Sequence, residues 1–481
     1  MQRALIALAL ALCVLLPQAA RAETEVRMTG DARIHANFFL MQNFTGWNYN
    51  GRQTMDALTI WERFRLRTDF AASENLAFRL GVRVNNTPWG SGTFTVDNPQ
   101  VSLEVYQAYL RFIWPGTRVK ITAGLQNTDL PVSSGYFNAN PVLGGTRSAA
   151  LTVAAPLMGD ALSLVAGYSR LIDTNRDMDP TTTQVADEFD LFFLTLPVAL
   201  DGVSFTPWTA FGLAGNAVNW QTQTGGPGLD DTLGAGVLSS GYRAAPQGWR
   251  NDRNPFLWVG AALSVDALDP WRFNADIIAG QGAWNDRAKS LRGGLFADAA
   301  VEYRGFDFAV PKASAWWSTG EDGSTRNGSE RLPVLVDSWG PGNTFLFNSG
   351  QELSNATLGI NPIGTWGVSF TLDQMSFLPK LTHRATFAYV RGLNSLRAVM
   401  DGFALWGVCS YFQMGRDLIE GQSVMAVTLD HSYVIQDNLR LVAETGWAHG
   451  EFSKPGFCRR HVHQALSGDP WKVSVGVVYR F

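Results

Sequence analysis

The chain holds 481 residues, of which 46% are hydrophobic, 12% aromatic and only 17% charged, against about 25% charged in an ordinary soluble domain. With 48 Gly, 21 Pro and 17 Trp, the apolar content excludes a disordered chain, and the lack of a Gly-X-Y period excludes collagen. A formal net charge of −4 excludes the basic footprint that nucleic-acid binders carry.

Met1-Gln2-Arg3, an apolar run from Ala4 to Leu16, and Ala20-Arg21-Ala22 before Glu23 read as a Sec-type signal peptide over residues 1–22, with 23–481 as one domain. The apolar run is too short to cross a core of ~30 Å. Cys13 follows Leu12 rather than a small residue, so no lipoprotein anchor is expected. Beyond Leu16 no 18 consecutive apolar residues occur, which excludes a helical inner-membrane protein.

From Val26 to Phe38 every even position is apolar or Gly and every odd one polar. Period 2 over such a length predicts a strand with one apolar and one wet face. Leu58 to Phe70 repeats it, with Arg63, Arg65, Arg67 and Asp69 opposite Phe64, Leu66 and Phe70. In the next segment Leu76, Phe78, Leu80, Val82 and Val84 oppose Arg79, Arg83 and Asn85. Noisier strands are predicted near 103–114, 118–126, 148–156, 161–171, 187–197, 203–215, 255–266, 271–281, 293–303, 306–318, 364–376, 381–393, 422–434, 439–449 and 471–481. Tight turns such as Asp201-Gly202 and Gln436-Asp437-Asn438 alternate with long polar stretches, among them 216–254 and 319–363. An even count of about 18 strands (16 being the alternative), short turns at one end and long loops at the other predict an all-β fold: a transmembrane antiparallel β-barrel with periplasmic turns and extracellular loops. A multi-sandwich or a propeller explains neither the alternation of connection lengths nor the continuous apolar face. Phe38, Phe39, Phe112, Trp114, Trp208, Trp258, Trp271, Trp316, Trp317, Trp447, Trp471 and Tyr479, near strand ends, fit two aromatic belts.

With the apolar faces toward lipid, Arg27, Arg33, Arg63, Arg65, Arg67, Arg79, Arg83, Arg111, Arg118 and Lys120 line the lumen of the first five strands as a cationic strip, since a lipid-facing Arg costs about 2–4 kcal/mol at the midplane. Asp31, Asp69 and Glu104 partly neutralise it. The strip either sets a transverse field that favours anions or is a wall of local ion pairs. The connection Asn127 to Arg147, with Asp129, Tyr136, Asn138 and Asn140, is expected to fold into the lumen and narrow it, Asp129 facing the strip. Asp173, Asn175 and Asp177 open like a calcium loop, but Met178 and Gln184 stand where an EF-hand needs Gly and Glu. Adventitious Ca2+ or a solvated turn are the readings left, and no other cofactor is expected. Cys458 through His463 match no zinc spacing, so no metal centre is expected there. Cys409 and Cys458, in the last two long loops, are a disulfide pair or two thiols. No nucleophile elbow, phosphate loop or dinucleotide fingerprint appears, so no enzyme is expected.

The chain ends on an alternating strand, Trp471 to Arg480, closed by Phe481. This resembles the C-terminal signal that the outer-membrane assembly machinery reads in bacterial porins. Val26 to Phe39 with Gly46-Trp47-Asn48, Val105 to Leu110 and Ile121 to Gln126 resemble the homotrimeric outer-membrane porins of sulfate-reducing, Desulfovibrio-type bacteria. The resemblance implies a trimer in the bacterial outer membrane, in contact with its lipid and lipopolysaccharide, passing small hydrophilic solutes without chemistry. The acidic constriction motif of enterobacterial general porins is absent, so their eyelet residues are not carried over. A substrate-specific channel and a plugged structural or adhesive barrel are the alternatives, and no plug-sized domain is expected ahead of Val26.

Overall fold

Period-2 segments can bury nothing alone, because each leaves its ladder of N–H and C=O groups open on both edges. Here they satisfy one another in a single closed sheet. The computed structural model describes residues 24–41, 57–90, 94–133, 137, 139–173, 181, 186–218, 249–324, 326–335, 340, 344–347, 351–353, 357–397, 418–452 and 467–481. Its strands are β1 (Glu25–Leu40), β2 (Ala57–Ser73), β3 (Leu76–Pro88), β4 (Glu104–Ile113), β5 (Lys120–Asn127), β6 (Arg147–Met158), β7 (Leu162–Ile172), β8 (Phe189–Thr195), β9 (Val198–Leu200), β10 (Val203–Gly215), β11 (Arg253–Leu268), β12 (Trp271–Gly282), β13 (Arg292–Tyr303), β14 (Val310–Ser318), β15 (Thr365–Leu378), β16 (Leu381–Gly392), β17 (Ser423–Gln436), β18 (Leu439–Glu451), β19 (Ser467–Gly468) and β20 (Trp471–Arg480).

β8 and β9 both lie between β7 and β10, and β19 and β20 both pair with β18. Each couple is one stave, interrupted at Pro197 and Pro470, which lack the N–H a ladder needs. The barrel therefore has 18 staves, the number expected. All pairings are antiparallel, and β20 returns to β1 from Asp31↔Arg480 to Leu40↔Trp471. The seam is extended by Phe481, whose carbonyl accepts from the Gly30 amide (2.8 Å) and whose amide donates to the Gly30 carbonyl (3.1 Å). Connections at one end are short (74–75, 159–161, 201–202, 269–270, 379–380, 437–438), and those at the other include 128–146, 216–252, 319–364 and 393–422. The strand expected from 306 begins at Val310, residues 304–309 being turn.

Face assignment follows the pleat. On β20, Trp471, Val473, Val475, Val477 and Tyr479 are exposed on the outside, whereas Lys472, Ser474 and Val478 are buried toward the lumen. The inner face is not wet all round, however. Phe189, Leu191, Trp208, Ala210, Phe256, Trp258, Ile278, Phe296 and Trp316 point inward and are buried. They join one apolar core with Leu130, Phe137, Val142 and Leu143 of the 128–146 connection and Leu332, Leu335, Phe345, Phe347 and Ile360 of the 319–364 connection. The noise in the period-2 pattern of the middle strands has this cause: both of their faces are apolar, one toward the outside and one toward inserted loops.

The belt expectation is corrected accordingly. Phe39, Trp208, Trp258 and Trp316 are buried inside the barrel, where Trp258 Nε1 donates to the Pro333 carbonyl (2.8 Å). The outer belt at the turn end keeps the expected Trp114, Trp271 and Tyr479 and adds exposed Phe306, Phe308, Phe377 and Phe481, with centroid contacts of 4.7 Å (Trp271–Tyr303), 4.9 Å (Tyr303–Phe306) and 5.5 Å (Tyr479–Phe481).

Candidate functional site

Register decides which basic side chains meet. Asp31 stands opposite Arg65, Arg33 opposite Arg63 and Arg27 opposite Asp69 across β1–β2, and β3 adds Arg83 beside Arg65 and Arg79 beside Asp69. The lumen strip is therefore contiguous over β1 to β5. Asp31 takes both Arg63 (2.7 Å) and Arg65 (2.6 Å), Asp69 takes Arg79 (2.6 Å) and Glu104 takes Arg83 (2.9 Å). Arg67, Arg111 and Lys120 are exposed within this wall and form no ion pair among the described residues. Two members leave the strip. Arg27 pairs with Glu25 (2.6 Å) at the turn-end rim, and Arg118, in the turn before β5, pairs with Asp160. Arg33 is 2% exposed; it donates to Asn86 Oδ1 (2.8 Å) and to the Glu352 carbonyl, so it anchors a loop rather than facing open solvent.

Two residues that sequence reasoning missed extend the wall. A bulge in β4 brings Tyr106 inward, and its ring lies under Arg147 at 4.8 Å and Arg83 at 5.5 Å, a cation–π arrangement that holds two guanidinium groups together. Gly81 packs beneath the Tyr106 ring, and a Cβ there would stand 3.0 Å from the Gln107 Cβ and 3.1 Å from that ring, a tight fit to which a neighbour would have to yield by a few tenths of an ångström. Nothing in the local sequence marks a bulged tyrosine.

The 128–146 connection packs inside the barrel. Ser133 donates its amide to Asp276 on β12 (2.8 Å) together with its hydroxyl, and Leu335 donates to the Val142 carbonyl (2.9 Å). Asp129 accepts from the Thr146 amide (3.2 Å) and has Arg147 as its cationic neighbour, not the arginines of β1 to β3. Asn140 is corrected: it is 1% exposed, with Nδ2 donating to the Pro131 carbonyl (2.6 Å) and Oδ1 accepting from the Val142 amide (2.9 Å). It clasps the loop and lines no passage. Tyr136 and Asn138 lie outside the described residues.

The 319–364 connection reaches further. Gln351, Glu352 and Leu353 meet the far wall, where Arg480 donates to Glu352 Oε1 (2.9 Å) beside Arg440, Gln351 donates to Asp430 (3.0 Å), Lys472 donates to Gln351 (2.8 Å) and the Leu353 amide donates to Glu444 (2.6 Å). Arg440 and Arg480 adjoin the turn end, so this loop descends most of the lumen. A cavity of about 510 Å³ beside it is lined by Glu352, Asp373, Arg384, Asp430, Arg440 and Arg480, among others. By sequence this connection reads as a long polar stretch and is not expected in the lumen; its length is the one signal that points there.

The calcium candidate is reduced to Asp173, whose carboxylate is engaged by Arg170 (2.6 Å); Asn175, Asp177, Cys409, Cys458 and residues 1–22 lie outside the described residues. Among the described residues no group of three or more His, Cys, Asp or Glu is placed to hold a metal.

No protein-family profile matches the chain, and no curated protein sequence matches it. Solved structures do. It is similar to OccK2 (OpdF) of Pseudomonas aeruginosa, with TM-score 0.52 and 12% identity over 95% of this chain and 98% of that one. It is also similar to the outer membrane protein OprD of the same organism, with TM-score 0.50 and 12% identity over 96% and 97%, and to OccK11 (OpdR), with TM-score 0.50 and 12% identity over 95% and 96%. At such identity the likeness is one of fold: a closed antiparallel barrel of 18 staves.

Proposed function

We infer that the chain is an outer-membrane porin that passes small hydrophilic solutes by passive diffusion and prefers anions. The observation that carries the reading is the lumen wall of β1 to β5, where Arg67, Arg111 and Lys120 form no ion pair among the described residues while Asp31 is shared by two arginines. Such a wall holds a positive field in a narrow, low-dielectric channel and lowers the barrier for anions. An exposed apolar exterior with an aromatic girdle supports placement in a membrane, and a closed β-barrel with a signal-peptide-like leader supports the bacterial outer membrane. Phe481 is read as the assembly signal, the functional unit as a homotrimer surrounded by lipid and lipopolysaccharide, and the barrel as non-enzymatic.

A specific observation also favours the narrower reading, a substrate-specific channel. Two inserted loops pack an apolar core inside the barrel and so occupy part of its lumen, and the named OprD and Occ structures share the fold. Planar-bilayer recordings test both. In a KCl gradient the reversal potential is expected to have the sign of anion preference, and the double substitution Arg65→Gln with Arg67→Gln to move it toward cations. Saturation of current with one solute identifies a specific channel. A refolded barrel that never conducts overturns the reading in favour of a plugged structural barrel.

A further inference from the structure

Half-way round the barrel from β3, the lumen face of β12 and β13 carries two carboxylates directly opposite one another, Asp276↔Asp298. They differ in what they touch. Asp276 caps the inserted loop through the Ser133 amide and hydroxyl. Asp298 is 7% exposed, and its carboxylate has no side-chain partner, the nearest donor being the main chain of Asp276 across the strand pair. No Lys or Arg is paired with either acid among the described residues; further along the same wall Arg272 is engaged by Asp266 (2.7 Å) and Lys312 by Glu302 and Asp373 (3.5 and 3.0 Å). Diagonally beside Asp298, on the same face, stand Asn274 and Ser314, through the pairs Asn274↔Ala300 and Ala300↔Ser314. Both are buried, and Asn274 Nδ2 and Ser314 Oγ also lack partners. Polar atoms of Asp298, Asn274 and Ser314 that lack side-chain partners thus lie side by side on this part of the wall.

Buried polar groups without partners are rare in native proteins and mark a bound water, an ion or a functional group, and a buried carboxylate without a counter-charge is costly to keep ionised. Two adjacent acids with no basic neighbour call for a cation. The donors are oxygens, which select a hard ion, and Ca2+ accepts irregular sets of six to eight oxygens completed by water. We propose that Asp276 and Asp298, with Ser314 beside them, form a Ca2+ site on the lumen wall that fastens the 128–146 loop through Ser133. The occupied site neutralises the acidic side of the lumen opposite the arginine wall and thereby strengthens anion preference.

The site is tested on the full-length barrel refolded in detergent, which makes the outcome independent of whether the barrel conducts. Tb3+ is the probe, because Trp316 is the direct cross-strand neighbour of Asp298 and sensitises its emission. The expected result is a saturable emission phase with one ion per barrel, reversed by Ca2+ and not by K+, and absent from Asp298→Asn and from Asp276→Asn. Heat resistance supplies a second readout. In chelator Asp298→Asn is expected to be at least as resistant as the wild type, since it removes an unbalanced charge, and with Ca2+ the wild type is expected to overtake it. No saturable phase, or one that persists in both variants, overturns the proposal; a proton shared between the two acids gives the first of these results. Should a variant not refold, Ca2+-dependent heat resistance of the wild type decides, its absence overturning the site.

Discussion

Asp31, Asp69 and Glu104 show how one acid decides what an arginine can do in this lumen. Each takes its partner at hydrogen-bonding distance, so Arg79 and Arg83 are held in place while Arg67 and Arg111 keep their charge available to a solute. Glu321 is the converse case, an acid in a loop at the opposite end. It is 2% exposed, and its main-chain amide is tied to Asn394 (3.1 Å). Burial pushes its carboxyl up to about 7 from the ordinary 4.5, against the opposing pull of the Ser329 hydroxyl and Arg331. The folded loop therefore holds this proton more tightly than the unfolded chain does. The stability Glu321 contributes is complete below about pH 4.5 and is lost as pH rises through about 7. Protease cleavage within the 319–335 segment is thus expected to be faster at pH 8 than at pH 5.5, and Glu321→Gln to flatten that difference. An unchanged pH dependence in the variant would remove Glu321 from the account.

At the scale of elements, the strands were legible and the inserted loops only partly so. Alternation in Val26 to Phe38 predicts β1 because the pleat turns period 2 into two faces, and the structure places Asp31, Arg33, His35 and Asn37 on the buried one. The strand β8 was less legible: Phe189, Leu191 and Phe192 are apolar on both faces, and the reason, loops packed inside, lies far away in sequence. Glu352 was not singled out at all, since nothing near it reveals Arg440 and Arg480 as partners. Hydrogen bonds to charged groups contribute roughly 1.5–3 kcal/mol each, and Glu352 accepts from both arginines. Glu352→Gln is expected to free the loop tip and raise open-channel noise and mean conductance, leaving the barrel itself intact. Single-channel traces indistinguishable from wild type would show that the remaining contacts of Gln351 and Leu353 suffice.

For the whole molecule, closure is the step that converts a long sheet with two open edges into one with none. The seam depends on Gly30. A Cβ there would stand 2.5 Å from the Arg65 carbonyl and 2.5 Å from the Phe481 ring, so Gly30→Ala is expected to weaken the closing of β1 on β20. The measurement is the temperature at which the folded band is lost on heating in detergent gels, which should fall in the variant; an unchanged temperature would mean the Phe481 ring simply swings away. By itself the sequence determined the barrel, the sides of the wall that carry charge and the alternation of turns and loops, because each of these is written in spacings of two residues and in the lengths between them; it left the choice between 16 and about 18 staves to the structure. Only the tertiary structure decided which arginines are neutralised, that Asn140 is a clasp, that Trp258 and Trp316 face inward, and that Asp298 stands beside Asp276. Those outcomes rest on register across staves and on contacts between segments more than a hundred residues apart, such as Ser133 with Asp276, and no local pattern carries that information.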